Sequence, residues 1–269
     1  MLPFLKWGHV MRAILSVLGA AILYCAIGSS SLQAQERSAV RQGFVLPPQS
    51  GKTILVLRPS VRVAEQSTGG LAEPRAEWTD QARAHIGAAL VELQRQLGNT
   101  VIAAPEAYGE DARTVAEHLA LFGAVSDAVV QYQFFVGNRL PTKKRDNKAG
   151  QFDWSLGPDV AKLPGAEQAD YALFLHTDDQ FGSTGRKMLQ IVGAIAGVGF
   201  TSGVHKGSAG LVDLKTGDLL WLNADFQMGG DVREADGAMK RVRQLLEDFP
   251  GSAIPRDAPS AETPSGGKP

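Results

Sequence analysis

Ala169-Asp170-Tyr171-Ala172-Leu173-Phe174-Leu175-His176 is the stretch on which the fold turns. Its short apolar middle, leaving into the polar Thr177-Asp178-Asp179, suits a strand covered on both faces. Two runs of the same kind precede it. Thr53-Ile54-Leu55-Val56-Leu57 is ended by Pro59, and Thr100-Val101-Ile102-Ala103 by Pro105. Between the first and second runs, Trp78, Ala82, Ile86, Ala89, Leu90, Leu93 and Leu97 keep a helical period that Gly98-Asn99 closes. Between the second and third, Val115, Leu119, Phe122, Val129, Tyr132 and Val136 continue a helical face, with a break near Gly123 and a stop at Gly137 and Pro141. Strands separated by helices pair in parallel through right-handed crossovers.

Downstream the pattern changes. Residues 210–214 and 219–226 flank Lys215-Thr216-Gly217-Asp218, a hairpin connection in which Gly217 is free to take positive φ. The hairpin is expected to form an antiparallel edge. A last helix follows, capped by Asp231 with Glu234 three residues on, and carrying Val232, Ala235, Met239, Val242, Leu246 and Phe249 as one stripe up to Pro250-Gly251. The expectation is an α/β fold with a mixed sheet of about five strands: β-α-β-α-β, an apolar crossover helix, a β-hairpin and a C-terminal helix.

The first 34 residues read differently. Lys6 and Arg12 precede an apolar run from Ala13 to Ile27, then Gly28-Ser29-Ser30-Ser31-Leu32-Gln33-Ala34. A basic start, an apolar core and a small-residue exit make a secretory signal, with cleavage after Ala34. Met11 competes with Met1 as the start. Two rivals keep the segment in the product: acylation of Cys25, for which Tyr24 is a poor preceding residue, and an uncleaved membrane anchor. Removal of residues 1–34 leaves no cysteine, because Cys25 is the single one in the chain. It also takes away Lys6 and Arg12 and no acid, so the formal charge moves from -1 to -3. Such a balance gives no electrostatic reason to bind nucleic acid. Residues 35–51, with Pro47-Pro48, read as a linker, 52–249 as one α/β domain, and 250–269, with five prolines, as a disordered tail.

The order of elements over 52–249 resembles the α/β domain shared by the N-terminal part of TolB and the curli-secretion lipoproteins (CsgG-like). The residues that carry the likeness are 169–174, Gly210-Leu211-Val212-Asp213-Leu214-Lys215-Thr216-Gly217 and Trp221-Leu222-Asn223. The span from Leu140 to Gly157 is similar to uncharacterised exported bacterial proteins. The resemblance implies an envelope protein that binds, scaffolds or assembles. The chain departs from the curli family in lacking its lipidated cysteine and any alternating membrane hairpin, and that departure counts against pore formation.

Candidate chemistry is sparse. Gly51-Lys52-Thr53 imitates the end of a phosphate loop but leads into a strand, and position 46 is Leu46 rather than Gly. Gly182-Ser183-Thr184-Gly185 is not a nucleophile elbow, and with His176 and Asp213 it makes a triad on paper alone. Glu117-His118 lacks a second histidine at zinc spacing. His176, Asp178 and Asp179, just past the end of the third strand, combine imidazole and carboxylates suited to zinc or manganese, against the plainer reading of a polar turn. Lys143, Lys144 and Arg145, beside Phe152 and Trp154, form a candidate contact for an anionic partner. Residues 188–204, from Met188 through Val204, are apolar with Gly193 and Gly197 four apart. They are expected to form a buried crossover helix, with membrane or oligomer contact as the rival.

Together these readings favour a non-enzymatic periplasmic protein that binds or scaffolds in envelope assembly or secretion. Its partners would be envelope proteins or cell-wall and membrane components, or further copies of itself, and no cofactor is called for. The alternatives are a metal-dependent hydrolase using His176, Asp178 and Asp179, and a membrane-associated oligomer using residues 188–204.

Overall fold

The computed structural model describes residues 37–47, 50–135, 138, 140–143, 151–199 and 203–251, all of which lie in the compact unit Ala34–Pro269. The expected signal segment, Lys144, Arg145 and, past Gly251, the Pro-rich tail fall outside those residues.

The class is the expected α/β with a mixed sheet, but eight strands build it rather than five: β1 (Arg37–Val40), β2 (Thr53–Val56), β3 (Ser60–Gln66), β4 (Ala72–Pro74), β5 (Thr100–Ala103), β6 (Tyr171–Gly182), β7 (Val204–Asp213) and β8 (Leu219–Asp225). The main path runs β1-β8-β7-β6-β2-β5, with β3 also paired to β6 and β4 to β3. β2, β5 and β6 are parallel, as apolar runs separated by helices require. β6 is the spine. It runs twelve residues, so Asp178 and Asp179 stand inside the strand and not beyond it.

The extra strands have local causes. Pro59 ends β2, yet the chain resumes at Ser60 as β3 alongside the same β6, parallel again, with Ser60 opposite His176 and Gln66 opposite Gly182. β2 and β3 thus lie end to end on one side of β6, since a proline without an N–H interrupts a ladder but does not turn the chain. The expected linker contributes β1, which pairs antiparallel with β8 through Val40 and Trp221, so the hairpin β7–β8 is not the edge of the sheet. The turn between β7 and β8 takes the positive φ at Gly217 (76°) that the sequence calls for, and its backbone rests against Gly157, where a Cβ would collide.

Four α-helices accompany the sheet: α1 (Ala76–Gln96), α2 (Gly109–Val129), α3 (Thr184–Ile195) and α4 (Ala235–Leu245). α1 buries Ala82, Ile86, Ala89, Leu90 and Leu93, the stripe read from its period. It shares one core cluster with Leu173, Leu175, Val242 and Leu245, while Phe122 of α2 shares the other with Phe174, Leu222 and Val160. Odd-numbered residues of β6 face the first cluster and even-numbered ones the second, the alternation of a strand buried on both sides. α2 passes through Gly123 without a break and continues as a π-helix over Val130–Phe134. α4 starts later than expected, after Glu234, because Asp231 spends its carboxylate on Arg233: Oδ1 accepts from the backbone N–H at 3.0 Å and from Nε at 2.9 Å.

The crossover after β6 is the largest departure. α3 does not lie buried on the sheet: of its residues Gly193 alone is buried, and Met188, Ile191, Val192 and Ile195 are exposed.

Candidate functional site

Alternation along β6 decides what its polar residues can do. His176 and Asp178 share the even face; Thr177 and Asp179 share the odd face, on the side of α1 and α4. The three residues expected to hold a metal are therefore split between opposite sides of the sheet. Among the described residues no group of three or more His, Cys, Asp or Glu side chains is placed to hold a metal ion.

On the odd face a fully buried ion pair forms between Asp179 and Arg241 of α4, both with no exposed side-chain surface. The guanidinium meets the carboxylate end-on, Nη2 to Oδ1 at 2.8 Å and Nη1 to Oδ2 at 2.9 Å. Its remaining hydrogens go to Thr177 Oγ1 (3.0 Å) and to the carbonyls of Gly229 (3.0 Å) and Gly230 (3.1 Å), so each N–H of the fork has an acceptor. Asp179 also accepts from Thr177 Oγ1 at 2.7 Å and from His205 Nδ1, on β7, at 2.8 Å. Burial by itself would push the Asp179 carboxyl up; His205, Arg241 and Thr177 outweigh it and hold the acid below the ordinary aspartate range. Nearby Asp225 goes the other way: burial raises it, and the N–H of Gln227 opposes that only in part.

The even face is arranged in two rows across β3, β6 and β7. Ser60, His176 and Ser208 form one, with His176 Nδ1 3.2 Å from Ser60 Oγ. Arg62, Asp178 and Lys206 form the next: Arg62 grips Asp178 by Nε (3.1 Å) and Nη2 (2.8 Å), and Lys206 stands at 3.8 Å. Burial lowers the His176 pKa, against the pull of Asp178, so the ring is neutral at pH 7. Both carboxylates of the proposed metal set thus already carry arginine, and a cation would have to displace it.

Of the expected anionic-partner contact, Lys143, Phe152 and Trp154 are among the described residues. Phe152 is core. Lys143 Nζ lies 2.6 Å from Asp153 Oδ1 and 4.4 Å from the Trp154 ring centroid, and the indole N–H donates to Gln133 Oε1 at 3.0 Å. Lys143 therefore offers its charge chiefly to its own loop. The paper triad is dispersed too: Ser183 caps α3, accepting from the N–H of Arg186 at 3.2 Å, and Asp213 holds the hairpin turn through the N–H groups of Lys215 and Thr216. His118 faces its own helix, 2.8 Å from the carbonyl of Thr114.

Sequence reasoning missed Arg241, the strongest polar feature of the interior. The signal was present: Arg241 sits between Ala238 and Leu245 at helical spacing, on the buried stripe of α4, where an arginine needs a buried acid.

The surface contrasts with this paired centre. Met188, Ile191, Val192 and Ile195 fall at the spacing of a core-facing stripe, yet all four are open to solvent, and Val198 beyond them is half exposed. α3 is held at its start: Gly185 is packed on Thr68, and Gly70 lies against the Arg186 guanidinium, 3.5 Å from Nη1 to where a Cβ would stand. That clamp brings the turn between β3 and β4, with the exposed Leu71, beside the first turn of the helix.

No family model and no curated protein matches the chain. Among solved structures it is similar to the PelC dodecamer from Paraburkholderia phytofirmans, at 11% identity and a TM-score of 0.36, covering 81% of this chain and 99% of that one. A variant of the same dodecamer gives the same values. A superposition this loose carries no residue across.

Proposed function

We propose that this chain is an exported, non-enzymatic protein of the bacterial envelope, released into the periplasm after cleavage behind Ala34, where it binds or scaffolds other components. One observation carries the reading: the charged groups of the candidate site are engaged with each other, whereas an apolar surface lies open. Asp179 and Arg241 pair with one another and Asp178 is held by Arg62. An apolar stripe without a cover, by contrast, is what a contact surface needs. The resemblance that the sequence carries to the TolB and curli-secretion domains supports an envelope role.

The test has two readouts on one preparation. The chain expressed from Met1 is expected in the periplasmic fraction with Gln35 as its first residue, and to show no turnover on ester, peptide or phosphate substrates. Turnover abolished by Asp178→Ala would overturn the non-enzymatic reading, and a mature protein retaining Met1 or Met11 would overturn release.

A further inference from the structure

We infer that the exposed face of α3, with Leu71 beside it, docks on an acidic phospholipid surface; the inference deepens the envelope-binding reading above by naming a partner. Four observations support it. Met188, Ile191, Val192 and Ile195 follow i, i+3, i+4, i+7 spacing and all point away from the sheet, so the helix presents a continuous apolar face where a globular helix presents a polar one. Ile195 is 84% exposed at the end of the helix, and Leu71, beside its start, is 75% exposed. The charge of the helix has one sign: Arg186 and Lys187 open it and it carries no carboxylate, as the chain carries none between Asp179 and Asp213. The helix is held near its start through Thr68 and Gly70, and of its own residues Gly193 is the buried one.

The dimensions select among occupants. Twelve residues make a helix about 18 Å long, too short to cross a hydrocarbon core of about 30 Å, and no helix of the described residues is long and apolar enough to do so. An interface between two copies wants roughly 800 Å² from each, more than one helical face of this length offers. Lying in the plane of a bilayer demands less: an apolar stripe sunk to the acyl boundary with basic residues at the headgroups. The missing acids also fit lipid better than protein. A neutral or mixed-charge partner would not require the whole segment to be free of carboxylates, whereas an anionic surface repels each one.

The test is flotation of the chain beginning at Gln35, which holds every described residue, with vesicles of phosphatidylcholine alone or mixed in equal parts with phosphatidylglycerol. Binding is expected to the mixed vesicles and to be weakened at high salt, and Ile195→Asp should reduce it about tenfold or more, since one buried aliphatic chain is replaced by a charge. Lys187→Glu should weaken binding to the mixed vesicles several-fold. Both residues are exposed, so circular dichroism and thermal melting of the variants should match the parent. The proposal is overturned if the parent fails to float with the mixed vesicles, or if Ile195→Asp floats as well as the parent. It is overturned equally if the parent sediments as a dimer that Ile195→Asp splits, which would make a second copy the occupant. Failure here leaves the periplasmic, non-enzymatic reading standing, because that reading is decided by fractionation and turnover.

Discussion

Arg241 and Ile195 sit on helices of eleven and twelve residues against the same sheet, and each is on the side where the other belongs. The arginine has no exposed side-chain surface; the isoleucine keeps 84% of its own. The difference lies in what the sheet offers beneath them. Under α4, β6 presents Thr177 and Asp179 and the loop between β8 and α4 turns two carbonyls inward, so a guanidinium finds all its acceptors in place. α3 buries Gly193 and leaves Met188, Ile191, Val192 and Ile195 exposed. Burial follows from satisfied neighbours, not from hydrophobicity alone.

The largest expected effect is at the buried pair. Arg241→Ala strands Asp179 without a counter-charge and should cost about 3–5 kcal/mol in urea unfolding; pairing it with Asp179→Leu should recover much of the loss, and failure to recover would mean that the carbonyls of Gly229 and Gly230 matter more than the acid. Next is Leu245→Ala on the same helix, a fully buried side chain, expected to cost about 3 kcal/mol. His205→Ala removes one donor from Asp179 and should cost about 1–2 kcal/mol by the same measurement.

Two smaller effects sharpen the contrast through pH and exposure. Asp179 has a folded pKa below its ordinary value of 3.8, so its contribution is complete above that value and disappears as pH falls through the lower folded one. Asp225 is raised, so folding is opposed progressively as pH rises from 3.8 to its folded pKa and fully above it; Asp225→Asn, which keeps an oxygen for the N–H of Gln227, should raise the melting temperature at pH 7 by an amount worth about 1 kcal/mol or less. The gain should vanish below pH 3.8, where the wild-type group is neutral in both states. Last, Ile195→Ala should move stability by no more than about 0.5 kcal/mol. A loss of several times that would show that α3 is covered in solution.

Much of the frame was legible because it rests on local pattern. The parallel β2, β5 and β6, the stripe of α1 and the hairpin with Gly217 are each written in residues close together in the chain. β3 was hidden because Pro59 signals an ending, and nothing nearby says that Ser60 rejoins the same neighbour. The site was harder. Whether Asp179 is a ligand or a counter-ion depends on Arg241, 62 residues later, and on which face of β6 each acid takes. Once β6 is extended past His176, strict alternation splits Asp178 from Asp179; the earlier end assigned to that strand concealed it. For α3 the apolar run shows that a helix crosses here, but an apolar run does not state which way its side points.

β1 bears on the order of events during folding. Its residues are the first of the described fold in the chain, yet Arg37 pairs with Ala224 and Val40 with Trp221, partners near the other end. Contacts so distant in sequence carry the largest loop-closure entropy and form late. β1 therefore waits, unpaired, until almost the entire polypeptide has been made, because synthesis runs from the N-terminus and β8 is the last of the strands. Of all the segments, this one has the longest interval in which a chaperone or a stray strand can reach it.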